Sequence, residues 1–205
     1  MGMPISIHMR GTDVDSPTVV LAVEAAFSLL RQADRLFSTY QPDSEVSRIG
    51  RGELDPCQAD PLVREVTRLC HEAGELTQGA FTDQLPDDEG VQRFDPTGLV
   101  KGWAADRAAC LLAEVPGAGF CLNAGGDVVV GGTVSDAADK EAALWRVGIE
   151  DPRDRSRIAE VVELCHGGGG HLWHGSPRGS FDAESWRRVF PWPGRPADSR
   201  VEELQ

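Results

Sequence analysis

The residues best suited to chemistry lie in one run, Phe94–Asp106, which reads FDPTGLVKGWAAD. Asp95, Gly98 and Lys101 stand at the predicted start of a helix, where backbone N–H groups and the helix dipole favour an anion. A second turn, Asn123–Asp127 (NAGGD), contains two glycines and offers a backbone that a ligand can approach closely. Together the two turns indicate a site for a phosphate-bearing ligand. In that site the Asp95 carboxylate and nearby carbonyls would handle a ligand or metal, and Lys101 would pair with phosphate.

Plainer interpretations of these two turns stay open. The spacing of Asp95 and Lys101 alone favours a capped helix with a solvated lysine. The NAGGD turn alone could be a tight connection that needs positive φ angles. The lysine does not follow a G-x-x-x-x-G-K pattern, so the run is not a P-loop. Asp106 could face the site, but an exposed acid on a helix fits equally well.

Two other clusters of possible metal ligands have weaker patterns. An acidic stretch is more typical of a solvated loop than of a metal site, and its members are Asp83, Asp87, Asp88 and Glu89. A cysteine and three histidines have a spacing too irregular to favour zinc, and they are Cys165, His166, His171 and His174. Neither cluster is therefore predicted to bind a metal.

Composition limits the classes of partner and compartment. The net charge of −13 argues against nucleic acid and anionic membranes as partners, because phosphate backbones need a basic surface. An anionic ligand would need backbone N–H groups, a cation, or both. Lys101 and Lys140 are the only lysines, which singles out the lysine of the first motif. The five cysteines form no C-x-x-C pair and are expected to be buried, reduced thiols. No signal peptide or membrane span is evident, so a cytoplasmic location is expected.

Hydrophobic periodicity and turn residues predict the elements that position the motifs. Helices are expected over Val19–Phe37, from the Asp60–Pro61 cap to near Gly79, and over Leu99–Glu114, with a loop at Ser38–Ser44. Strands are expected over Pro4–Met9, Gly119–Leu122, Asp127–Val130, Leu144–Glu150 and Ile158–Leu164. Helices concentrated in the first half and strands in the second indicate an α+β fold rather than regular βαβ winding.

The character of the sequence changes after Leu164. Residues 166–205 hold five arginines and five acidic residues, so the whole net charge lies in residues 1–165. Three of the five tryptophans also fall in this stretch, which is rich in glycine and proline and shows no sustained period. We therefore expect a domain over residues 1–165 and an irregular, aberrant tail over residues 166–205.

Joined in order, the motifs resemble one family, the FAD:protein FMN transferases, also called the ApbE or thiamine-biosynthesis lipoprotein family. Each matching run is short, but six in the correct order over residues 1–152 are specific. They are Met1–Ile7, Phe37–Arg48, Gly79–Phe81, Phe94–Asp106, Asn123–Asp127 and Trp145–Pro152. The resemblance implies the family's ApbE-like α+β fold, which is related to tandem T-fold units.

The resemblance also implies an activity and its cofactors. Members of the family bind FAD with Mg²⁺ and transfer FMN to a threonine or serine hydroxyl of an acceptor protein, releasing AMP. Some members instead hydrolyse FAD to FMN and AMP. The acceptor supplies the nucleophile, so no catalytic side chain is assigned to this chain. Mg²⁺ would neutralise the pyrophosphate and stabilise charge on the transferring phosphoryl group.

The family's ligand contacts map onto positions in five of the six motifs and onto Thr82, which directly follows one of them. The implied flavin contacts are Met1, Tyr40, Ala80, Phe81, Thr82, Asp95 and Lys101. The Gly-Gly-Asp loop at the ligand cleft corresponds to Asn123, Gly125 and Gly126. The backbone carbonyl of Gly98 stands at a position that helps to hold the metal.

The sequence departs from the family pattern after the strand Ile158–Leu164. The family continues with a Ser-Gly turn, a His-Ile-Ile-Asp-Pro-x-Thr-Gly motif and an Asp-x-x-x-Thr motif that supplies two metal ligands, and none of these is present. A truncation or a frameshift near residue 167 would explain the change. The predicted function is FMN transfer. The alternatives are a non-catalytic FAD-binding or scaffold remnant, and a product that does not fold stably.

Overall fold

The computed structural model describes residues 2–11, 13–87, 89–132, 144–164 and 167–169. Met1, Asp88, Cys165 and His166 lie outside the described residues, as does the predicted tail beyond Gly169. The statements below concern the described residues alone.

The described chain contains four α-helices and eight strands. The helices are α1 (Pro17–Phe37), α2 (Glu45–Gly50), α3 (Pro61–Leu76) and α4 (Thr97–Ala113), with a 3-10 turn at Pro56–Gln58. The strands are β1 (Ile5–Gly11), β2 (Gln84–Pro86), β3 (Gln92–Phe94), β4 (Ala118–Ala124), β5 (Asp127–Gly132), β6 (Trp145–Asp151), β7 (Asp154–Leu164) and β8 (Gly167–Gly169). This mixture confirms the predicted α+β class.

The largest sheet has the strand order β1-β4-β5-β8, and every neighbouring pair is antiparallel. β4 and β5 form a hairpin, and β1 lies on the outer side of β4. β8 pairs with β5, so the sheet continues past residue 165, where we expected the domain to end. Two further hairpins, β2–β3 and β6–β7, form separate two-stranded sheets.

The core lies between this sheet and the helices. α4 contacts β4 and β5 on one side and α1 on the other, and its buried residues surround the helix rather than following a single stripe. Trp103 of α4 meets Phe37 of α1 edge to face, with ring centroids 5.5 Å apart. Burying a large apolar side chain of this kind stabilises the fold by about 1.5–3 kcal/mol. The packing therefore fixes α4, which carries the first motif, against the β4–β5 hairpin, which carries the second.

Local signals explain where α1 and α3 begin. The side chain of Ser16 accepts a hydrogen bond from the Val19 amide, and proline occupies the first turn of α1. Asp60 caps α3 in the same way, as its carboxylate accepts from the Leu62 amide at 2.8 Å. A side-chain acceptor at this position satisfies an amide that has no partner inside the helix. The predicted Asp60–Pro61 start of α3 is thus confirmed.

Two regions differ from the sequence prediction. Residues 45–50, for which no element was predicted, form the short helix α2, and Ser44 at the end of the predicted Ser38–Ser44 loop caps it and is buried. The stretch before Phe94, also expected to be a loop, forms the β2–β3 hairpin, which α2 contacts. Six-residue and three-residue elements are too short to show a hydrophobic period, so neither had a detectable signal.

Arg10 links the main sheet to the β6–β7 hairpin. Its Nη1 donates to the Leu144 carbonyl at 2.7 Å, and its guanidinium lies 4.0 Å from the centroid of the Trp145 ring. Burial lowers the pKa of Arg10, and the nearby Cys121 opposes that shift. The contact therefore combines a hydrogen bond with a cation–π interaction.

The four described cysteines are all free thiols, as the sequence analysis predicted. Cys70 is buried and Cys110 and Cys121 are partly buried, but Cys57 is exposed, so the expectation of burial is wrong for that residue. It stands in the 3-10 turn, where its amide donates to the Asp55 side chain.

No helix among the described residues is long and apolar enough to cross a membrane.

Candidate functional site

The NAGGD turn joins β4 to β5 and has the geometry of a two-residue hairpin turn. Gly125 and Gly126 have φ angles of +58° and +98°, and the flanking Ala124 and Asp127 are paired across the ladder. Positive φ at both central positions is typical of a type I′ turn, which favours glycine. This geometry confirms the plainer interpretation that the turn needs positive φ angles.

The amides of this turn are already used inside the protein. The Gly125 N–H donates to the Pro4 carbonyl at 2.9 Å, and the Gly126 N–H donates to Oδ1 of Asn123 at 2.8 Å. Both hydrogen bonds take up donors that an anion-binding loop would offer to its ligand. The role of the turn as a second anion-binding loop stays a prediction. The carbonyl of Gly125 faces α4.

Lys101 joins α4 to this turn. Its Nζ donates to the Gly125 carbonyl at 3.1 Å and forms an ion pair with Oδ2 of Asp127 at 3.0 Å. The side chains of Lys101 and Asp127 are 29% and 21% exposed. Lys101 is thus not the solvated lysine of the plainer interpretation. Its positive charge is compensated within the protein, which the phosphate-pairing interpretation did not foresee.

Asp95 shapes the start of α4 from just outside the helix. Pro96 occupies the N-cap position and provides no side-chain hydrogen bond, whereas Oδ1 of Asp95 accepts from the Thr97 amide at 2.9 Å. The Asp95 amide in turn donates to the Asp83 carbonyl at 2.7 Å. The carboxylate therefore occupies one of the amides that could have bound an anion at this helix end.

Gly98 and Phe81 meet beside the first turn of α4. A Cβ atom placed on Gly98 would lie 3.4 Å from Cε2 of Phe81, so the glycine lets the ring come close to the helix. The Phe81 amide donates to the Thr77 hydroxyl at 3.0 Å, which fixes the loop after α3. Phe81 is half-buried, whereas Ala80 and Thr82 on either side of it are exposed.

We name these residues the α4 cluster: Phe81, Asp83, Asp95, Gly98, Lys101, Gly125 and Asp127. It contains five of the eleven predicted ligand or metal contacts, and two more, Asn123 and Gly126, adjoin it through the turn. Tyr40 is 89% exposed in the loop between α1 and α2, and among the described residues no hydrogen bond joins it to the cluster. The predicted contact Met1 lies outside the described residues. The ligand roles of all these residues stay predictions.

The electrostatics of the α4 cluster are acidic. Lys101 is the single cation among these residues, and Asp127 is its ion-pair partner. Burial raises the pKa of the Cys70 thiol on α3 to about 12, and the charges of Asp83 and Asp95 add to that effect.

The described residues do not form a metal centre. Among them, no three or more histidine, cysteine, aspartate or glutamate side chains converge to hold an ion. Gly98, the predicted backbone ligand, stands at the second position of α4. A helical carbonyl there accepts from the amide four residues later, so one of its lone pairs is committed. The magnesium site implied by the resemblance is not reproduced by these residues.

Sequence reasoning missed three features around α4: the partner of Lys101, the contacts of Glu65 and the burial of Asp106. Asp127 was seen as part of a turn but not as the partner of Lys101. Glu65 of α3 accepts two hydrogen bonds from Arg107 at 2.7 Å each and a third from the Trp103 indole at 3.3 Å. Asp106, expected to be exposed or to face the site, is half-buried, and burial raises the pKa of its carboxyl. The sequence did hold a signal for Asp127, because this acid ends the NAGGD motif and Lys101 is one of only two lysines in the chain.

With this geometry established, comparison with known proteins decides the family. The ApbE family model matches residues 1–84 and 82–169, which is more than half of the chain. The chain belongs to the ApbE family. None of the proteins with curated descriptions matches it.

Solved structures show that the ApbE-like fold is also correct. An ApbE protein from Thermotoga maritima superposes with a TM-score of 0.63 at 20% identity, covering 82% of this chain and 66% of its own. The apo flavinyl transferase ApbE from Pseudomonas stutzeri gives 0.55 at 19%, covering 78% and 66%. The flavin transferase ApbE from Vibrio cholerae gives 0.54 at 19%, covering 80% and 64%. The chain thus spans slightly less than two thirds of the length of these relatives.

Proposed function

We propose that this ApbE-family chain binds FAD at the α4 cluster and transfers FMN from it to a threonine or serine hydroxyl of an acceptor protein. The hydroxyl oxygen forms a bond to the phosphorus of the FMN half, and the bond from that phosphorus to the bridging oxygen breaks. AMP leaves with the bridging oxygen, and the hydroxyl proton passes to AMP or to solvent. The acceptor thereby becomes a phosphodiester of FMN.

One observation carries the proposal. Direct contacts bring together segments that are far apart in the chain and that the family resemblance links to the ligand. Lys101 bonds to the turn at Gly125, and Asp95 bonds to the segment at Asp83. Phe81 lies against Gly98. The two ApbE relatives described as flavin or flavinyl transferases share the fold and so support the direction of the proposal.

The described residues suit the binding part of this function. Phe81 offers a half-buried aromatic ring beside the backbone of α4, and an aromatic face of this kind can pack against a planar ring system. Lys101 offers a hydrogen-bond donor fixed in direction by two protein acceptors. Asp95 holds the first turn of the helix in place.

The described residues do not suit Mg²⁺. This ion prefers near-octahedral oxygen coordination, with one or two carboxylates beside water and phosphate oxygens. Asp127 is paired with Lys101, Asp95 is engaged by the Thr97 amide, and the described carboxylates form no metal-binding group. Magnesium therefore stays a prediction of the family resemblance, and we derive no step through it.

A second candidate is an FAD-binding protein that does not transfer FMN, and the departure of the sequence from the family pattern after Leu164 favours it. Such a protein would use the same contacts at the α4 cluster. It would differ only in lacking the phosphoryl-transfer chemistry, which requires the charge that develops on the pyrophosphate to be neutralised.

Two measurements on the full chain separate these functions. Fluorescence titration with FAD measures binding. AMP release, with a mass increase on a threonine-containing acceptor peptide, measures transfer, with and without Mg²⁺. Transfer of FMN together with AMP release supports the proposal. Binding without AMP release identifies the second candidate, and the absence of FAD binding refutes both.

A further inference from the structure

Thr77 closes helix α3 and also holds the loop that follows it. It occupies the C-cap position, and its hydroxyl donates to the Ala73 carbonyl of the last turn at 2.7 Å. The same oxygen accepts a hydrogen bond from the Phe81 amide at 3.0 Å. A hydroxyl group has one proton to donate and two lone pairs that accept, so both bonds form together. Thr77 therefore joins the end of a helix to Phe81 of the α4 cluster.

The turn that directly follows α3 has a demanding backbone conformation. Gln78 has a φ angle of +53°, the left-handed conformation that glycine usually supplies at this point of a helix end. The Gln78 amide donates to the Glu75 carbonyl at 3.1 Å. The Gly79 amide donates to the Gly74 carbonyl at 2.9 Å, which completes a Schellman motif. A residue other than glycine persists in such a conformation where the surrounding contacts determine it, and such positions cluster at functional sites.

The far end of the same loop is anchored on α4. The Phe81 ring lies beside Gly98, where a Cβ atom would come within 3.4 Å of it. The Asp83 carbonyl accepts from the Asp95 amide at 2.7 Å, just before α4 begins. Residues 80–82 thus bridge the end of α3 and the start of α4, and the C-cap hydroxyl holds them from the α3 side.

Resting on the proposed function, we infer that Thr77 is a positioning residue for FAD binding. Its hydroxyl holds the Phe81 backbone, so that residues 80–82 keep the conformation in which they meet the ligand. The bond to Ala73 serves the helix end, whereas the bond from the Phe81 amide reaches the loop. Loss of the hydroxyl would remove this acceptor and loosen the Phe81 ring from its place beside Gly98.

Helix α3 contains a matched control for this hydroxyl. Thr67 is also partly buried, and its hydroxyl donates to the Val63 carbonyl four residues earlier at 2.8 Å, as Thr77 does to Ala73. Among the described residues, no hydrogen bond joins the Thr67 hydroxyl to a loop. T77V and T67V therefore remove the same kind of helix bond with the same change of side chain. Only T77V also removes the acceptor of the Phe81 amide.

Fluorescence titration of the full chain with FAD compares these variants. We expect T77V to bind FAD about three- to tenfold more weakly, the net value of one hydrogen bond. T67V should stay within about twofold of the wild type because the loop keeps its contacts, and T77S should do so because it keeps the hydroxyl. That pattern supports the inference. Equal affinities of T77V and T67V, or a T77S variant as weak as T77V, overturn it. If T77V does not fold, T77A replaces it with the same expectation.

Hydrogen exchange measured by mass spectrometry tests the inference without any variant. In the wild type, saturating FAD should slow exchange in the peptide that contains residues 77–83, because a bound ligand suppresses local opening of the loop that it contacts. An unchanged exchange rate there, in a protein that binds FAD, overturns the inference and leaves the proposed function standing. A wild type that does not bind FAD refutes the proposed function and, with it, this inference.

Discussion

Replacing Gly125 with alanine should destabilise the protein through two separate effects. The φ angle of +58° is a left-handed conformation, which costs an L-residue about 1–2 kcal/mol. The new Cβ would also lie 3.0 Å from both Cβ and Sδ of Met3, closer than side chains normally pack. Methionine can adjust its rotamer, so this contact adds less than a rigid neighbour would, about 1 kcal/mol. The two effects together give about 2–3 kcal/mol.

Gly90 provides a matched control for the backbone effect. Its φ angle is +80°, but an added Cβ would meet nothing within 4 Å. G90A should therefore cost only the conformational part, about 1–2 kcal/mol. In a chain of this length 1 kcal/mol lowers the Tm by about 2–4 °C, so the added contact with Met3 should make the Tm shift of G125A about 2–4 °C larger than that of G90A.

The same pair of variants also tests the connection to the site. G125A moves the carbonyl that accepts from Lys101, so FAD should bind more weakly, whereas G90A in the hairpin between β2 and β3 should leave FAD binding unchanged. Equal Tm shifts for the two variants would show that Met3 does not constrain the turn. An unchanged Tm for G125A would refute the left-handed geometry itself.

Three further outcomes follow from contacts elsewhere in the fold. E65A removes the acceptor of Arg107 and should lower the free energy of unfolding by about 2 kcal/mol. E72A on the same helix is the control, because its ion pair with Arg68 is exposed, and it should lower the free energy of unfolding by less than about 0.5 kcal/mol. S44A removes the cap of α2 and a 2.7 Å hydrogen bond to the end of α1, so the free energy of unfolding measured by urea titration should fall by about 1–2 kcal/mol. Burial raises the pKa of Cys70 to about 12, so the thiol ionises in the unfolded chain before it ionises in the folded protein as the pH rises. The free energy of unfolding should therefore fall above about pH 9 by roughly 1.4 kcal/mol per pH unit. Thermal melts at increasing pH should show a shallower fall for C70A. A pH slope that is identical in the wild type and C70A would contradict this assignment.

Local signals predicted those parts of the fold that depend on neighbours in sequence. The Asp60–Pro61 start of α3 follows from a capping side chain and the fixed φ of proline, and the structure shows that start. Helix α2 was missed because six residues cannot display a period, and Ser44 serves equally well in a turn or as a cap. The family resemblance, not the periodicity, supplied the ApbE-like arrangement that the comparisons confirm.

The candidate site was only partly predictable for a related reason. The position of Lys101 on α4 followed from its spacing, but its partner Asp127 lies on another element, and their contact depends on how α4 packs against the β4–β5 hairpin. The hydrogen bonds of the turn amides could not be predicted for the same reason. Which acceptor takes the Gly125 and Gly126 amides depends on where Pro4 and Asn123 lie in three dimensions.

The contacts of the NAGGD motif also bear on what such a motif can establish. Asn123 takes the Gly126 amide, the two glycines supply the positive φ angles, and Asp127 pairs with Lys101. Each of these residues thus has a structural task that would be needed whether or not a ligand binds. The motif therefore identifies the fold more directly than the activity. FAD binding to variants of Lys101 and Asp127, with AMP release measured alongside, tests the ligand role independently, because it measures what these residues do for a ligand rather than for the turn.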